Sequence, residues 1–450
     1  MNTLVILISL SLFLIVSYFL FGRRLSAPAI LFIAPLILAV LDGFIYYKQW
    51  RFNLSCITSL LVIFGTLSFI VGCASISLFY RRVTISSVNK VQRIYLDNKV
   101  YALFFVLCIL CSAATFLSIR QLVVSFGYPA SSFSDIIGSY NELSKFGDED
   151  ISVHGIGAYA YEVVFGIGLV FAYLAARDIA IAHARCSKPC VLVFLTSALC
   201  VLIVGSRSVA ITMFVAFAVL FLMFLQATNQ LKRFSDIKAQ TIVLVPGIIL
   251  VAAIVFLNSL NLLGREGGSE TSTPLYDLSI YLGAPLKNLD LALLEGTSQP
   301  SFFGQGTFRY LYSTLAKFGF DAPPYSTDFG FRAINGYFLG NVYTAFYNPI
   351  VDFGFIGGCF ALFLTGMFVQ LIYEYSYNHI CLNRITFSSV VYGFFAYNIF
   401  FSFFADMFLA TFFSTVALKK IVVVAFLIFV LNRFQLHEGK GMGVDEHLRY

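Results

Sequence analysis

The residues best placed to do chemistry are arginines that stand where a bilayer makes them expensive. Arg207 lies in Gly205-Ser206-Arg207-Ser208, between two apolar runs. The run before it, Val191 to Gly205, is about 15 residues, or roughly 22 Å of helix. A hydrocarbon core is about 30 Å thick, so the tip of this hairpin falls below the outer surface, where a guanidinium needs an anionic partner. Ser206 is placed to cap the following helix, whose positive N-terminal end also favours an anion. A planar guanidinium beside a helix N-terminus suits a lipid-linked pyrophosphate; the bland alternative is snorkelling to lipid headgroups. Arg265, in Gly264-Arg265-Glu266-Gly267-Gly268, follows the next run that exits on the same side. Its glycines would let the backbone approach a ligand closely, although a flexible exit loop has the same composition. Arg120, near the outer end of its own run, could join both.

Two carboxylates complete the candidate chemistry. Glu162 lies about a third of the way into an apolar run, where an ionisable group is a functional candidate by default. It could equally pair with Arg120, Arg207 or Lys420 and do structural work. Asp352 opens a run at the aqueous boundary, where it favours a helix start and could accept a proton from a hydroxyl. Asp42 and Asp406, nearer an interface, read as bland.

What must hold these residues is a bundle of membrane spans. Hydrophobic residues make up 59% of the 450, and charged residues only 12%, about half the roughly 25% of a soluble domain. Such a chain could not cover a soluble surface, which excludes a cytosolic enzyme, a disordered chain and a nucleic-acid reader. The net charge of +6 is too small to imply a polyanion partner. Nine cysteines lie mostly in or beside apolar runs, and Cys108-x-x-Cys111 falls mid-run without histidine partners, which suits packing better than metal or redox work. The runs long and apolar enough to span are 3–21, 28–47, 55–79, 100–124, 155–176, 190–204, 208–225, 241–260, 354–375, 386–404 and 408–432. The expectation is an all-α, polytopic membrane protein of about 11 (10–12) helices with one long ordered outer loop. The first run is expected to be a retained span, since no basic segment precedes it and no small-residue cleavage site follows. Basic joints (Arg23-Arg24, Arg81 to Lys99, Arg177 to Lys188, Lys232 to Lys238) alternate with acidic or long ones, which places the former inside. Lys48 and Arg51 go against this rule, and Lys419-Lys420 sits awkwardly midway in the last run, a stretch that could instead be an interfacial helix followed by a short span.

The chain thus divides into N-terminal spans (1–125), an acidic outer loop (126–154), central spans (155–260), the large outer loop (261–351), C-terminal spans (352–434) and an inner tail (435–450). The large loop is too aromatic for a linker, and 275–295 and 307–317 could form interfacial helices with Tyr and Lys at the headgroups. Its mixed charges, Lys287, Arg309 and Arg332 among them, together with rings such as Tyr281, suit a carbohydrate. A solvated loop with incidental charges is the other reading.

The order of several short motifs adds a resemblance. Asn341-Val342-Tyr343-Thr344-Ala345-Phe346-Tyr347 followed by Asp352-Phe353-Gly354-Phe355-Ile356-Gly357-Gly358 resembles the late-loop signature of O-antigen polymerases (Wzy, oligosaccharide repeat-unit polymerases). Val204-Gly205-Ser206-Arg207, Gly264-Arg265 and Tyr281-Leu282-Gly283-Ala284-Pro285 resemble the same family in the same order, so that about 190–375 is covered. The resemblance implies a multi-pass protein of the bacterial inner membrane, with its active site facing the periplasm. It would transfer a growing glycan from undecaprenyl pyrophosphate to a new lipid-linked repeat unit, without nucleotide sugar, metal or other cofactor. Its implied partners are undecaprenyl-pyrophosphate-linked oligosaccharides, membrane lipids and a chain-length regulator, with no nucleic acid. By position, Arg207 and Arg265 would hold pyrophosphate, and Asn341, Tyr343, Thr344 and Asp352 would line the sugar site. An arginine-to-glycine spacing that some members have in two outer loops is absent: eleven residues after Arg265, Arg309 and Arg332 stand Tyr276, Phe320 and Tyr343. Three other readings compete: a related ligase moving the same glycan onto lipid A core; from a different class, a lipid-linked oligosaccharide flippase or transporter; and a non-catalytic assembly scaffold.

Overall fold

A computed structural model describes residues 2–80, 96–146, 153–181, 188–228, 274–296, 300–321, 329–381 and 384–434. The run 241–260, Arg265 with its glycines, and the tail 435–450 lie outside the described residues. The helices are α1 (Asn2–Leu20), α2 (Pro28–Ile45), α3 (Cys56–Tyr80), α4 (Asn98–Ser125), α5 (Phe133–Phe146), α6 (Gly155–Ile181), α7 (Lys188–Cys200) and α8 (Arg207–Ala227). After them come α9 (Pro274–Leu282), α10 (Ala284–Glu295), α11 (Arg309–Ala316), α12 (Tyr347–Asn378), α13 (Phe387–Phe400), α14 (Phe408–Phe412) and α15 (Thr415–Arg433). Single 3-10 turns, Val201–Val204 and Phe401–Phe403, extend α7 and α13. A two-stranded antiparallel hairpin, β1 (Arg332–Ile334) with β2 (Tyr337–Gly340), lies in the large loop. Among the described residues, 8 helices are long and apolar enough to cross a membrane, and 188–204 and 387–403 are shorter apolar helices. The protein is a multi-pass helical bundle of the membrane type.

Packing in lipid gains little from hydrophobicity between helices, so close backbone approach through small residues takes its place. The contact of α3 with α12 follows this rule. A Cβ at Gly72 would run into the Phe363 carbonyl, and one at Gly366 into the Phe69 carbonyl; the Cys73 thiol donates to the Gly366 carbonyl at 3.3 Å. Outer helices carry apolar rows that face away from the bundle, such as Leu4, Ile8, Leu12, Ile15 and Phe19 on α1, as lipid-facing surfaces require. Helix α6 lies at the centre, with Val164 and Ile167 to Ala176 mostly buried.

Successive joints collect alternately at two ends of this bundle. At one end the start of α1 meets the α2–α3 joint: the Asn2 amide donates to the Leu54 carbonyl and the Thr3 hydroxyl to the Phe52 carbonyl, both at 3.3 Å. There too the Asn335 amide donates to the Gln49 carbonyl at 2.9 Å, and the Ala345 N–H to the Ser402 carbonyl at 2.8 Å. At the other end Arg24 pairs with Glu374 at 3.1 Å and stacks on Tyr377, and the Tyr173 hydroxyl donates to the carbonyls of Cys381 and Arg384.

Three element boundaries bear on the candidate residues. Helix α12 starts seven residues before the expected 354, and its direction changes at Gly354, where φ is 69° and ψ −175°, a conformation essentially confined to glycine. The last run breaks after α14, and Ser414 restarts the helix by accepting from the Ala417 N–H at 3.0 Å. Lys419 and Lys420 therefore stand near the start of α15 rather than midway in a span, over the rings of Tyr159 and Phe165. Ser206 occupies the cap position of α8, but its hydroxyl pairs with the Ser208 hydroxyl at 2.8 Å and makes no capping bond.

Candidate functional site

The end that holds the 274–346 segment also gathers most of the candidate residues. Short helices, α5 and α9 among them, pack on the bundle there. Helix α5 presents Ile136, Ile137, Tyr140 and Leu143 inward, spacings that share one helical face, and sets them against Ile119 and Val123 of α4. Its Asn141 amide donates to the Gly205 carbonyl at 3.3 Å, so α5 covers the tip of the short hairpin. Helix α9 is tied to α2 on one face: the Ser279 hydroxyl donates to Asp42 at 2.8 Å, and the buried Trp50 donates to the Tyr276 hydroxyl at 3.3 Å. Asp42, expected to be bland, is thus a tether.

Arg207, buried with 6% exposure, begins α8 beneath these helices. Its guanidinium acts on Asp277 of α9; burial pushes the Asp277 carboxyl above its usual range and Arg207 pulls it back. One turn further along α9, Tyr281 stacks on Phe404, with centroids 5.7 Å apart. Phe404 lies just before Asp406, so α9 connects Arg207 to a second charged set.

That second set is built from the loop before α11, the first turns of α12 and the α13–α14 joint. Asp352 accepts from the Gly306 N–H at 3.2 Å and from the Thr307 N–H at 2.6 Å, one on each carboxylate oxygen. The bonds hold Thr307 and Arg309 inward, and Arg309 donates to the Gly306 carbonyl at 3.2 Å. Asp406, buried in the joint, faces Arg309 and is hydrogen-bonded by the Asn348 side chain and the Leu409 N–H. Burial pushes its carboxyl up to about 6, against the pull of Arg309. One Asp406 oxygen, the Arg309 Nε and the Thr307 hydroxyl are buried without a hydrogen-bond partner. Asp406 also lines a narrow crevice with Phe32, Phe69, Thr365 and Ser402.

The remaining candidates separate. Arg332 holds Glu295 with two bonds of 2.6 Å and donates to the Tyr343 hydroxyl at 2.7 Å. These bonds, that to Glu295 first, raise the Arg332 pKa and lower that of Glu295. Tyr343 in turn stacks near Tyr347 at 4.7 Å, which adjoins Asn348. Thr344 is fully buried at the start of α12, and Asn341 is half-buried between β2 and Tyr343. Lys287, expected at the headgroup level, is instead buried in an ion pair with Asp290 at 2.8 Å. The other Asp290 oxygen accepts from the Ser55 N–H at 2.7 Å and the Thr58 hydroxyl at 2.9 Å, which fixes the start of α3. Burial opposes ionisation of Asp290, and these bonds outweigh it, leaving its carboxyl below the usual range. Glu162 is buried, and the charges acting on it are Lys420 and then Lys419, one of the pairings its position allowed. Arg120 lies on the exposed face of α4 and does not turn into the bundle.

Sequence reading took Asp406 as bland and did not single out Asn348 or Thr307. The signal for Asp406 was a lone carboxylate in Phe403-Phe404-Ala405-Asp406-Met407-Phe408, where an unbroken apolar run makes charge expensive. Among the described residues no cluster of His, Cys, Asp and Glu could hold a metal ion. No protein-family model, curated protein or solved structure matches the chain.

Proposed function

We propose that the chain polymerises lipid-linked oligosaccharide repeat units, transferring a glycan from a polyprenyl pyrophosphate donor to the hydroxyl of an incoming unit at the outer face of the bacterial inner membrane. The observation that carries this reading is the grouping of Arg207 with Asp277, and of Arg309 with Asp352 and Asp406, under one covered end of the bundle, bridged by Tyr281 on Phe404. The ordered motifs from Gly205 to Gly358 support it independently. The full set of about eleven spans, with the large loop outside, belongs to the same proposal.

The chemistry asked of these groups is modest. The donor brings its own leaving group. As the glycosidic bond to pyrophosphate breaks, negative charge develops on the diphosphate, and a fixed guanidinium such as Arg207 stabilises it. A carboxylate takes the proton of the acceptor hydroxyl. The Tyr343, Tyr347 and Arg332 group offers stacking faces and a donor to sugar rings on the approach.

The test is a ladder gel of surface glycan from a deletion strain complemented with Arg207→Ala, with Arg207→Lys as the charge-preserving control. The expected result is glycan of a single repeat unit for Ala, with the protein still in the membrane. Complete loss of attached glycan in the deletion strain would move the reading to a ligase. Normal ladders from the deletion strain would end it.

A further inference from the structure

We propose that Asp406, rather than Asp352, takes the proton from the acceptor hydroxyl, in a subsite that Thr307 and Arg309 complete. The inference rests on the polymerase reading above and assigns its proton acceptor. Three observations separate the two carboxylates. First, both oxygens of Asp352 already accept backbone N–H groups, so its role is to hold the 306–309 segment in place. Second, Asp406 has one oxygen held by Asn348 and Leu409 and the other buried with no partner. Third, Arg309, whose charge acts on Asp406, and Thr307, whose N–H is held by Asp352, also keep a buried Nε and a buried hydroxyl without a partner. Buried polar groups are seldom left so, and residues linked through Asp352 and Arg309 offer an acceptor, a hydroxyl and a donor. A sugar bearing neighbouring hydroxyls satisfies all three. Arg309 and Asp352 are the half-buried members, so the cluster reaches solvent on their side.

The electrostatics agree with this geometry. Burial holds the Asp406 carboxyl near 6, which matches a base working close to neutral pH better than an ordinary carboxylate does. The charged groups acting on it are Arg309 from the loop before α11 and Asp352 from α12; the α2, α3 and α13 sides contribute Phe32, Phe69 and Ser402. In the step itself, the acceptor O–H proton passes to the free Asp406 oxygen. The hydroxyl oxygen bonds to the donor's anomeric carbon, and the bond from that carbon to the pyrophosphate oxygen breaks with its electron pair leaving on the diphosphate.

The experiment uses the full-length protein in lipid nanodiscs, supplied with polyprenyl-pyrophosphate repeat units extracted from the deletion strain, and follows polymer length over time and pH. Asp406→Asn should slow elongation by about 100-fold or more, the usual contribution of a general base, with a thermal melt no lower than that of wild type. Asp352→Asn should act mainly on KM. The wild-type rate should fall as pH drops through about 6, and Asp406→Glu should keep measurable activity with that limb displaced. Asp406→Asn within about threefold of wild type would overturn the assignment, since a general base contributes far more. If that variant fails to fold, the wild-type profile decides, and a flat rate from about pH 5 to 7 rejects Asp406 as base. No elongation by the wild-type protein sinks the polymerase reading and this inference together; elongation by wild type and Asp406→Asn alike sinks the inference alone.

Discussion

Asp290 and Asp406 are two buried carboxylates at the same end of the bundle, the first in an ion pair with Lys287 and the second under the longer-range pull of half-buried Arg309, and they differ in what surrounds them. Both aspartates are almost wholly excluded from solvent, and burial is the largest influence on each. Asp290 nevertheless ends below the ordinary carboxylate range and Asp406 well above it, at about 6. The difference lies in hydrogen bonding. Asp290 accepts from Ser55, Thr58 and Lys287 on both oxygens, whereas Asp406 keeps one oxygen open, as Arg309 does its Nε and Thr307 its hydroxyl. A buried charge network that is fully satisfied fixes a fold; one left partly open is costly to the fold and available to a ligand.

The largest expected effect breaks the satisfied pair. Asp290→Asn leaves the Lys287 ammonium buried without a counter-charge, and removing one partner of such a pair typically destabilises by about 3–5 kcal/mol. The expected outcome is a sharp fall in the detergent melting temperature, and much of it should return when Lys287→Met is paired with Asp290→Leu. A melt for Asp290→Asn unchanged from wild type would mean that Asp290 is no structural anchor and the contrast with Asp406 is lost.

At Asp406 the sign reverses. The Asp406 pKa is raised from 3.8 to about 6 on folding, so the folded state prefers the protonated acid. Stability is therefore greatest below about pH 4, declines as pH rises through 6 and is level above that. The rise corresponds to about 3 kcal/mol. Asp406→Asn removes this dependence, so the variant should melt above wild type at about pH 8 and match it near pH 4. Equal melting at both values would place Asp406 with Asp290 as a satisfied residue.

This contrast also marks how far the sequence could be read. Apolar runs locate the helices well, because a span is declared by about 20 consecutive residues. The short apolar helix ending at Val204 was legible from its length, whereas the burial of Arg207 beneath α5 and α9 comes from contacts outside that run. Buried pairing is different in kind. Asp290 gains its role from Ser55 and Thr58, more than 200 residues away in sequence, and no local pattern announces that contact. Asp352 was legible as a carboxylate at a span boundary, but not its bonds to Gly306 and Thr307, which depend on the added turns of α12 before Gly354. Lys419-Lys420 looked misplaced only because the break at Ser414 is a single capping bond.

The kink at Gly354 offers a test of intermediate size. Its backbone angles exclude other residues without strain, and forcing a side chain into that region costs about 1–3 kcal/mol. Gly354→Ala should therefore lower the melting temperature less than Asp290→Asn. Because the kink directs the Asp352 arm, the 300–321 segment should also become more accessible to protease in this variant. Loss of stability without added cleavage would separate the kink from the Asp352 clamp.

The smallest effect is expected where the sequence expected a sugar contact. Arg332 and Glu295 form a well-aligned pair, but the Glu295 side chain is 60% exposed. Exposed pairs contribute only about 0–1 kcal/mol and are screened by salt. Arg332→Ala should leave the melt within about 1 kcal/mol of wild type, with the residual difference fading at high salt. It should still shorten the glycan ladder, because Arg332 also bonds the Tyr343 hydroxyl and so positions the ring beside Tyr347. The two readouts divide the possibilities: a shorter ladder with an unchanged melt marks Arg332 as part of the substrate approach, and a normal ladder confines recognition to the covered clusters around Arg207 and Asp406.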